Sequence, residues 1–502
     1  MIRAGRSVGP VATMVVLLRV TMNTWRVMRS SAQPAPYETT TGVNMKTNNI
    51  LACTLLASSL TAGLANSTER PAFHHLRYEE SIAAYQAVEK TAPLDEIKYL
   101  PIGDHSVASF GGQVRGRWEV WNNFNFAPEN DDDFGLLRIR LHGDLHVGDH
   151  VRVFIEGKSA TATDRDLPGG RRTLDVDELD LQNAFADWKA GVGAWDTTLR
   201  LGRQELSYGA QRLVSPLDWS NTRRTWDGAR IILQNEAWRV DTFATRPVEI
   251  EKYELNEADN DQEFYGIYAV HAIPERKLSV DVYLLRLDRD TVPDGGEERS
   301  TAGLRFNGTC PLTGVEYDAE GGWQFGDSGT RDIKAWFAAI EAGYTLRDVT
   351  GQPRAYLGYD IASGDDDPTD GDNGTFNQLF PLGHAFLGYI DVLGRQNVID
   401  FSQGVSCWPV EKILQVRADH HLFHRTERAD AVYNVGGGVL READAGSSSE
   451  IGSEIDLTIT YKLDRNTQLA GGYSHFFAGK FIEQSGPSDD IDFLFASVQV
   501  TF

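Results

Sequence analysis

Arginine is the side chain best suited to gripping and releasing carboxylates, because its planar fork bonds them through two parallel N–H groups and stays charged at physiological pH. In this chain it recurs at every second position. Arg115 and Arg117 sit in QVRGRWEV, Arg138 and Arg140 in LLRIRLHGD, and Arg152 opens RVFIEGK. A period of two places such residues on one face of a strand. The same parity adds Arg200, Arg239, Arg354 and Arg417. The chemistry of such a stripe is repeated weak binding of an acidic solute, held well enough to enter and loosely enough to move on. Glu119, Asp144, Glu156, Asp241, Asp360 and Asp419 share those faces, so pairing that only braces a wall is the competing reading for any single arginine.

Between Arg203 and Arg230 the alternation breaks down, and Arg203, Arg212, Arg223, Arg224 and Arg230 mix with Asp218, Asp227, Trp219 and Trp226. The stretch is too irregular for one strand and reads as a loop between two. Folded inward, its aromatic faces and guanidiniums would form a constriction; folded outward, it would be a packed surface loop. GRQN at Gly394 to Asn397 offers Arg395 the same choice. The constriction candidates are therefore Arg203, Arg212, Arg224, Asp227, Arg230 and Arg395. No metal or cofactor is expected. His420 and His421 are adjacent, so on a strand they point to opposite faces and cannot share an ion with His424. Asp365, Asp366, Asp367, Asp370 and Asp372 lack the glycine and closing glutamate of a calcium loop. Within residues 66–502 a G-x-S-x-G nucleophile elbow and a prominent carboxylate pair are both missing, so an enzyme ranks last.

What must position these residues is a sheet. Leu137, Ile139, Leu141, Leu145 and Val147 oppose Arg138, Arg140, His142, Asp144 and His146; Val151, Val153 and Ile155 oppose Arg152, Phe154, Glu156 and Lys158. Further on, Ile451, Ile455, Leu457, Ile459 and Tyr461 oppose Glu454, Asp456, Thr458 and Thr460, and Leu494, Ala496, Val498 and Val500 lead to Phe502. So many one-sided strands need either a second sheet or lipid to cover them, and lipid outside a closed barrel is the simpler solution. Residues 108–502 then form a single transmembrane antiparallel β-barrel of about 18 strands, all-β in class. Faces cannot be assigned from Leu304 to Leu346. Acidic stretches at Pro128 to Asp133, Leu255 to Glu263, Pro293 to Glu298, Gly364 to Gly374 and Ser485 to Asp490 are too polar for a bilayer and read as loops, the longest of them extracellular. A separate plug domain is not legible.

The 502 residues carry 48 Lys and Arg against 72 Asp and Glu. Residues 1–65 read as an extended N-terminus plus signal peptide, with the start near Met45, an apolar run from Ile50 to Leu64 and cleavage near Ala65. Losing six basic residues and one acid takes those totals to 42 and 71, a net charge of −29. So acidic a chain is ill suited to nucleic acid. Residues 66–107 are polar, with a helical rhythm from Tyr78 to Lys90, and read as a periplasmic lead-in. Cys310 and Cys407 are the cysteines of the mature chain, and a disulfide or two unrelated thiols are equally open.

Four strings, in order, resemble the alginate-export family of outer-membrane porins. They are KYLPIG with SFGGQVRGRWEVWNNFNF (Lys98 to Phe126), LLRIRLHGDLHVGDHVRVFIE (Leu136 to Glu156), LRLGRQELSYGAQRLVSPLDWSNTRRTWDGARI (Leu199 to Ile231), and FPLGHAFLGYIDVLGRQN (Phe380 to Asn397) followed by KILQVRADHHLFH. The resemblance implies an arginine-lined lumen that passes an anionic uronate polysaccharide such as alginate passively outward through the outer membrane of a Gram-negative bacterium. It implies that polysaccharide, outer-membrane lipid and periplasmic secretion components as partners. The runner-up is a selective uptake porin for small anions or oligo-uronates; a barrel-based hydrolase stands behind both. Direction is not encoded, since the same passive hole serves export and uptake.

Overall fold

The computed structural model describes residues 71–86, 88, 90 and 94–502, so the leader expected over residues 1–65 lies outside the described residues. Pro71–Gln86 and Ile97–Phe502 form one compact unit. This unit is a closed antiparallel barrel of 18 strands. They are β1 (Ser106–Asn122), β2 (Asp132–Val147), β3 (Val151–Ala162), β4 (Asp177–Val192), β5 (Trp195–Gln204), β6 (Trp226–Gln234), β7 (Trp238–Pro247), β8 (Gln262–Ile273) and β9 (Leu278–Arg289). The ring continues with β10 (Glu297–Thr309), β11 (Glu316–Ser328), β12 (Arg331–Thr345), β13 (Arg354–Ala362), β14 (Val398–Val410), β15 (Leu414–His424), β16 (Glu450–Lys462), β17 (Thr467–Ala478) and β18 (Ile491–Thr501). It closes where β1 meets β18, from Gln113 opposite Thr501 to Asn122 opposite Asp492. Closure pairs every strand edge, which hydrocarbon demands because it offers backbone groups no partner.

Burial is inverted relative to a water-soluble protein. Leu199, Leu201, Ile231, Val282, Leu284, Ile340 and Leu357 point outward and are exposed, whereas Arg138, Arg140, Glu156, Asp187 and Asp241 point inward and are buried. Outward aromatics gather near both ends of the wall, Trp188, Trp238, Tyr344 and Tyr461 at one and Trp323, Tyr359, Phe401 and Phe477 at the other. Two such girdles mark the levels at which a barrel meets the membrane interfaces. Short turns such as 148–150, 193–194 and 411–413 frame one mouth. The connections at 123–131, 163–176, 205–225, 248–261, 290–296, 363–397, 425–449 and 479–490 frame the other and contain most of the acidic residues of those stretches.

Three local expectations need correction. From Leu304 to Leu346 the strands are regular, with Leu304, Phe306, Trp323, Phe325, Ile340 and Tyr344 outward. The pattern is hard to read there because inward Ile333, Ala335, Phe337 and Ala339 are apolar too, and Phe337 packs on Phe376 of an interior loop at 4.9 Å. Ile451 does not share the outward face of Ile455, Leu457 and Ile459; it is fully buried. Phe423 pairs with Gly452 and His424 with Glu450, so Ile451 is the extra residue of a bulge, and parity changes across it. Among the described residues, the rhythm from Tyr78 to Lys90 yields only single 3-10 turns at Arg77–Glu79 and Ala83–Tyr85.

An arginine at Leu284 would set a charge on the lipid side. Leu284→Arg is expected to destabilise the barrel in urea-driven unfolding from lipid vesicles by ~2–4 kcal/mol, whereas Thr460→Arg on the inward face costs under ~1 kcal/mol. Equal costs at the two positions would contradict the assigned faces.

Candidate functional site: the arginine-lined interior

The interior is occupied by three long connections that turn inward from one mouth. The 205–225 and 363–397 loops lie side by side: Val214 and Phe380 form a parallel bridge, Ser215 N donates to Phe380 O at 2.9 Å and Phe380 N to Leu213 O at 2.9 Å. The 425–449 loop joins them where Gly394 N donates to Tyr433 O at 3.0 Å. Leu206, Leu213, Val214, Leu387, Ile390 and Leu393 from these loops pack on inward Phe264, Phe337, Phe476 and Phe493 in one buried cluster. Much of the lumen thus has a core of its own.

The wall arginines meet these loops in two ways. Arg115 donates to the carbonyls of Asp218 (2.7 Å), Trp219 (3.2 Å) and Ser220 (2.8 Å). Arg117 donates to Trp219 O at 2.6 Å, pairs with Glu119 at 2.7 Å and lies over the Trp219 ring at 4.0 Å. Arg138 bonds the Asp218 carboxylate at 2.7 Å and the Asp218 and Ser220 carbonyls at 3.0 Å. The remaining arginines pair with wall carboxylates: Arg140 with Glu156 (2.8 Å), Arg152 with Asp144 (2.7 Å) and Arg200 with Asp187 (2.7 Å). All six are buried. Arg239 with Asp241 (3.2 Å), Arg354 with Glu316 (2.9 Å) and Glu341 (2.7 Å), and Arg417 with Asp419 (2.6 Å) are also paired. These three keep 39%, 28% and 39% of their side chains exposed, and all lie at the turn-framed mouth, at the starts of β7, β13 and β15.

The constriction candidates separate into groups. Arg212 and Arg395 come together: Arg212 pairs with Asp318 (2.8 Å) and Glu320 (3.0 Å), Arg395 pairs with Asp360 (2.7 Å) and donates to Arg212 O, and both guanidiniums lie over Phe386. Arg224 donates to Pro381 O at 2.8 Å and joins no ion pair among the described residues; burial pushes its guanidinium down to about 10. Arg230 lies on β6, inward, on Asp241. Arg203 and Asp227 pair with each other at 2.8 Å on β5 and β6, with the parity of exposed Leu199 and Leu201. Asp180 and Asn256 O complete their shell, so this pair belongs to the wall's outer side rather than to the interior cluster. His421 points inward to Asp400 (2.8 Å) while His420 points outward to Gln403. Among the described residues no three metal-ligating side chains converge, and Cys310 and Cys407 are free thiols.

Two further anchors lie outside the arginine candidates. Lys158, paired with Asp177 at 2.8 Å, donates to Thr222 O at 2.9 Å. Asn221 donates to three carbonyls, those of Leu137, Thr161 and Asp175. Lys158 was discoverable from its inward parity; Asn221, in a loop, had no such signal.

Asp218 is the anionic centre of the 205–225 loop. Burial pushes its carboxyl up, but Arg138 and Arg223 beside it outweigh burial and hold it well below the ordinary carboxylate range. The tether it forms is therefore complete above pH ~4, where a free aspartate is ionised, and is lost only as pH falls through the lower folded value. Asp218→Asn keeps the shape and removes the charge, so the loop is expected to loosen by ~1–3 kcal/mol and open-channel current noise to rise at neutral pH. The parent channel should stay quiet from roughly pH 5 to 9 and become noisy only in stronger acid; noise that sets in near neutrality would contradict this assignment.

The alginate export family model matches residues 106–495. No curated protein sequence matches. Among solved structures, the barrel is similar to three porins of Pseudomonas aeruginosa. OccK8 (OprE) has a TM-score of 0.55 at 12% identity over 79% of this chain and 98% of that one. OccK11 (OpdR) has 0.54 at 13% over 79% and 96%. OccK2 (OpdF), solved in complex with glucuronate, has 0.53 at 11% over 78% and 98%. At these identities the likeness is one of fold, that of an outer-membrane porin channel. With most of the chain matched by the family model and the fold in agreement, this porin barrel belongs to the alginate export family.

Proposed function

We propose that this porin conducts acidic saccharides, foremost uronate polymers such as alginate, passively across the outer membrane of a Gram-negative bacterium. One observation carries the reading: Arg239, Arg354 and Arg417 ring the turn-framed mouth partly exposed, Arg239 and Arg417 each fastened to one carboxylate and Arg354 to two. A guanidinium already paired accepts a passing carboxylate by exchange, so the solute is held weakly and handed on, as conduction requires. Deeper in, the Arg212 and Arg395 pair over Phe386 combines cations with an aromatic face. That combination suits a sugar acid, apolar on its C–H side and anionic at its edge.

The second reading, uptake of small anions or oligo-uronates, is favoured by the packing of the interior loops, which suits a short solute better than a polymer. The structural neighbour solved with glucuronate holds a single sugar acid. A hydrolase would need a nucleophile and base exposed to solvent near a mouth.

Single-channel recording in planar bilayers tests the proposal. The expected result is anion selectivity with reversible block by uronate oligomers, and an Arg239→Ala, Arg354→Ala, Arg417→Ala triple variant should weaken that block by roughly tenfold, about 1.4 kcal/mol. A cation-selective channel indifferent to uronates would overturn it. Block by dimers alone, and not by long chains, would move the reading to small-solute uptake.

A further inference from the structure

Pro71–Gln86, ahead of the barrel strands, lies against the inner wall and is fastened at three places. At the turn between β16 and β17, Arg465 donates to Pro71 O, lies over the Phe73 ring at 4.6 Å and reaches Tyr85 Oη at 3.2 Å. At the barrel seam, Arg77 donates to Gly112 O on β1 (3.1 Å) and to Phe502 O beyond β18 (3.0 Å), with Glu80 as its counter-ion at 2.7 Å. At the wall of β3, β4 and β5, Tyr78 enters an aromatic slot. Its ring meets Phe154 at 5.8 Å and Phe185 at 5.2 Å, both edge to face, and the Arg200 guanidinium lies over it at 4.5 Å. Arg152 donates to Tyr78 O at 2.7 Å, and Tyr78 Oη donates to Glu205 O, at the root of the 205–225 loop, at 2.7 Å.

This slot has the composition of a sugar-acid site. Phe154 and Phe185 form its floor, and two arginines lie over them, Arg200 over the Phe185 ring at 3.7 Å and Arg152 over the Phe154 ring at 5.6 Å. It is occupied by the chain itself: Tyr78 supplies a flat ring with a hydroxyl and, next to it, a carbonyl that takes an arginine N–H. The strap also covers that wall, for Arg152 and Arg200 are buried although they face the lumen.

We propose that the slot formed by Phe154, Phe185, Arg152 and Arg200 is a binding site for a hexuronate ring, and that Pro71–Gln86 is a displaceable strap which fills it through Tyr78 and closes this side of the lumen. The ligand class rests on the reading given under Proposed function; closure by the strap does not. A uronate residue entering the slot takes the place of the Tyr78 ring and the Arg152 bond, and the strap swings toward the turn-framed mouth and uncovers Arg152 and Arg200.

The test uses the full chain in planar bilayers and potassium chloride. An Arg77→Ala, Tyr78→Ala double variant is expected to conduct several-fold more than the parent, and Tyr78→Phe, which keeps the ring and loses one hydrogen bond, to stay close to it. Heat-modifiable migration on gels verifies that each variant is a folded barrel. If the double variant fails that check, the readout passes to a strap altered at one other residue: in a background lacking native cysteines, Leu76→Cys, on the strap and buried in the cluster with Phe154 and Phe185, should be protected from a membrane-impermeant thiol reagent and become reactive when glucuronate oligomers are added. Unchanged conductance in a folded double variant, or Leu76→Cys labelled freely without oligomers, overturns the closure. A conductance rise without any effect of oligomers leaves the strap standing and removes the uronate from the slot.

Discussion

A wall one residue thick decides this structure. Each strand residue faces either hydrocarbon or the lumen, and the lumen is packed with loops rather than open to bulk water along much of β1 to β6. An inward charge must therefore find its counter-charge within the barrel, since burying it alone is prohibitive. The guanidinium and carboxylate pairs across neighbouring strands, such as Arg152 with Asp144 and Arg200 with Asp187, meet that demand with bidentate geometry. Where wall carboxylates run out, the loops supply acceptors: three successive carbonyls at Asp218, Trp219 and Ser220 receive Arg115, Arg117 and Arg138. The position of the 205–225 loop follows from the arginines beneath it.

The interior is accordingly graded along its axis. At the mouth framed by long connections, apolar loop residues and inward phenylalanines make an ordinary close-packed core. Midway, arginines and acids are paired and buried. At the other mouth the pairs remain, but Arg239, Arg354 and Arg417 are half in solvent. The same chemical unit thus serves as a brace where it is covered and as a contact for solutes where it is not. Exposure, not residue type, separates the two roles.

Much of this was legible in the sequence because period two survives wherever one face is apolar and the other polar. Arg115 to Arg152 and Leu137 to Ile155 could be assigned to faces from alternation alone. Around Ile333 to Ala339 it could not, since residues that pack on interior loops are as apolar as those that meet lipid. Ile451 was misplaced by a bulge, which leaves composition unchanged and alters only the count. Arg203 and Arg230 looked alike in a basic stretch; strand parity sends one outward and the other inward. The inward course of Pro71–Gln86 had no periodicity to betray it, because a strap held by Arg77, Tyr78 and Arg465 needs only three well-placed residues.

Arg77 draws the carbonyls of Gly112 and Phe502 onto one guanidinium, and these belong to opposite sides of the β1 and β18 seam. Neither carbonyl stands in place until the cylinder has zipped shut. This single side chain therefore docks only on a closed ring, and it acts as a clasp across the seam: the strap is fastened at the very place where the first and last strands meet.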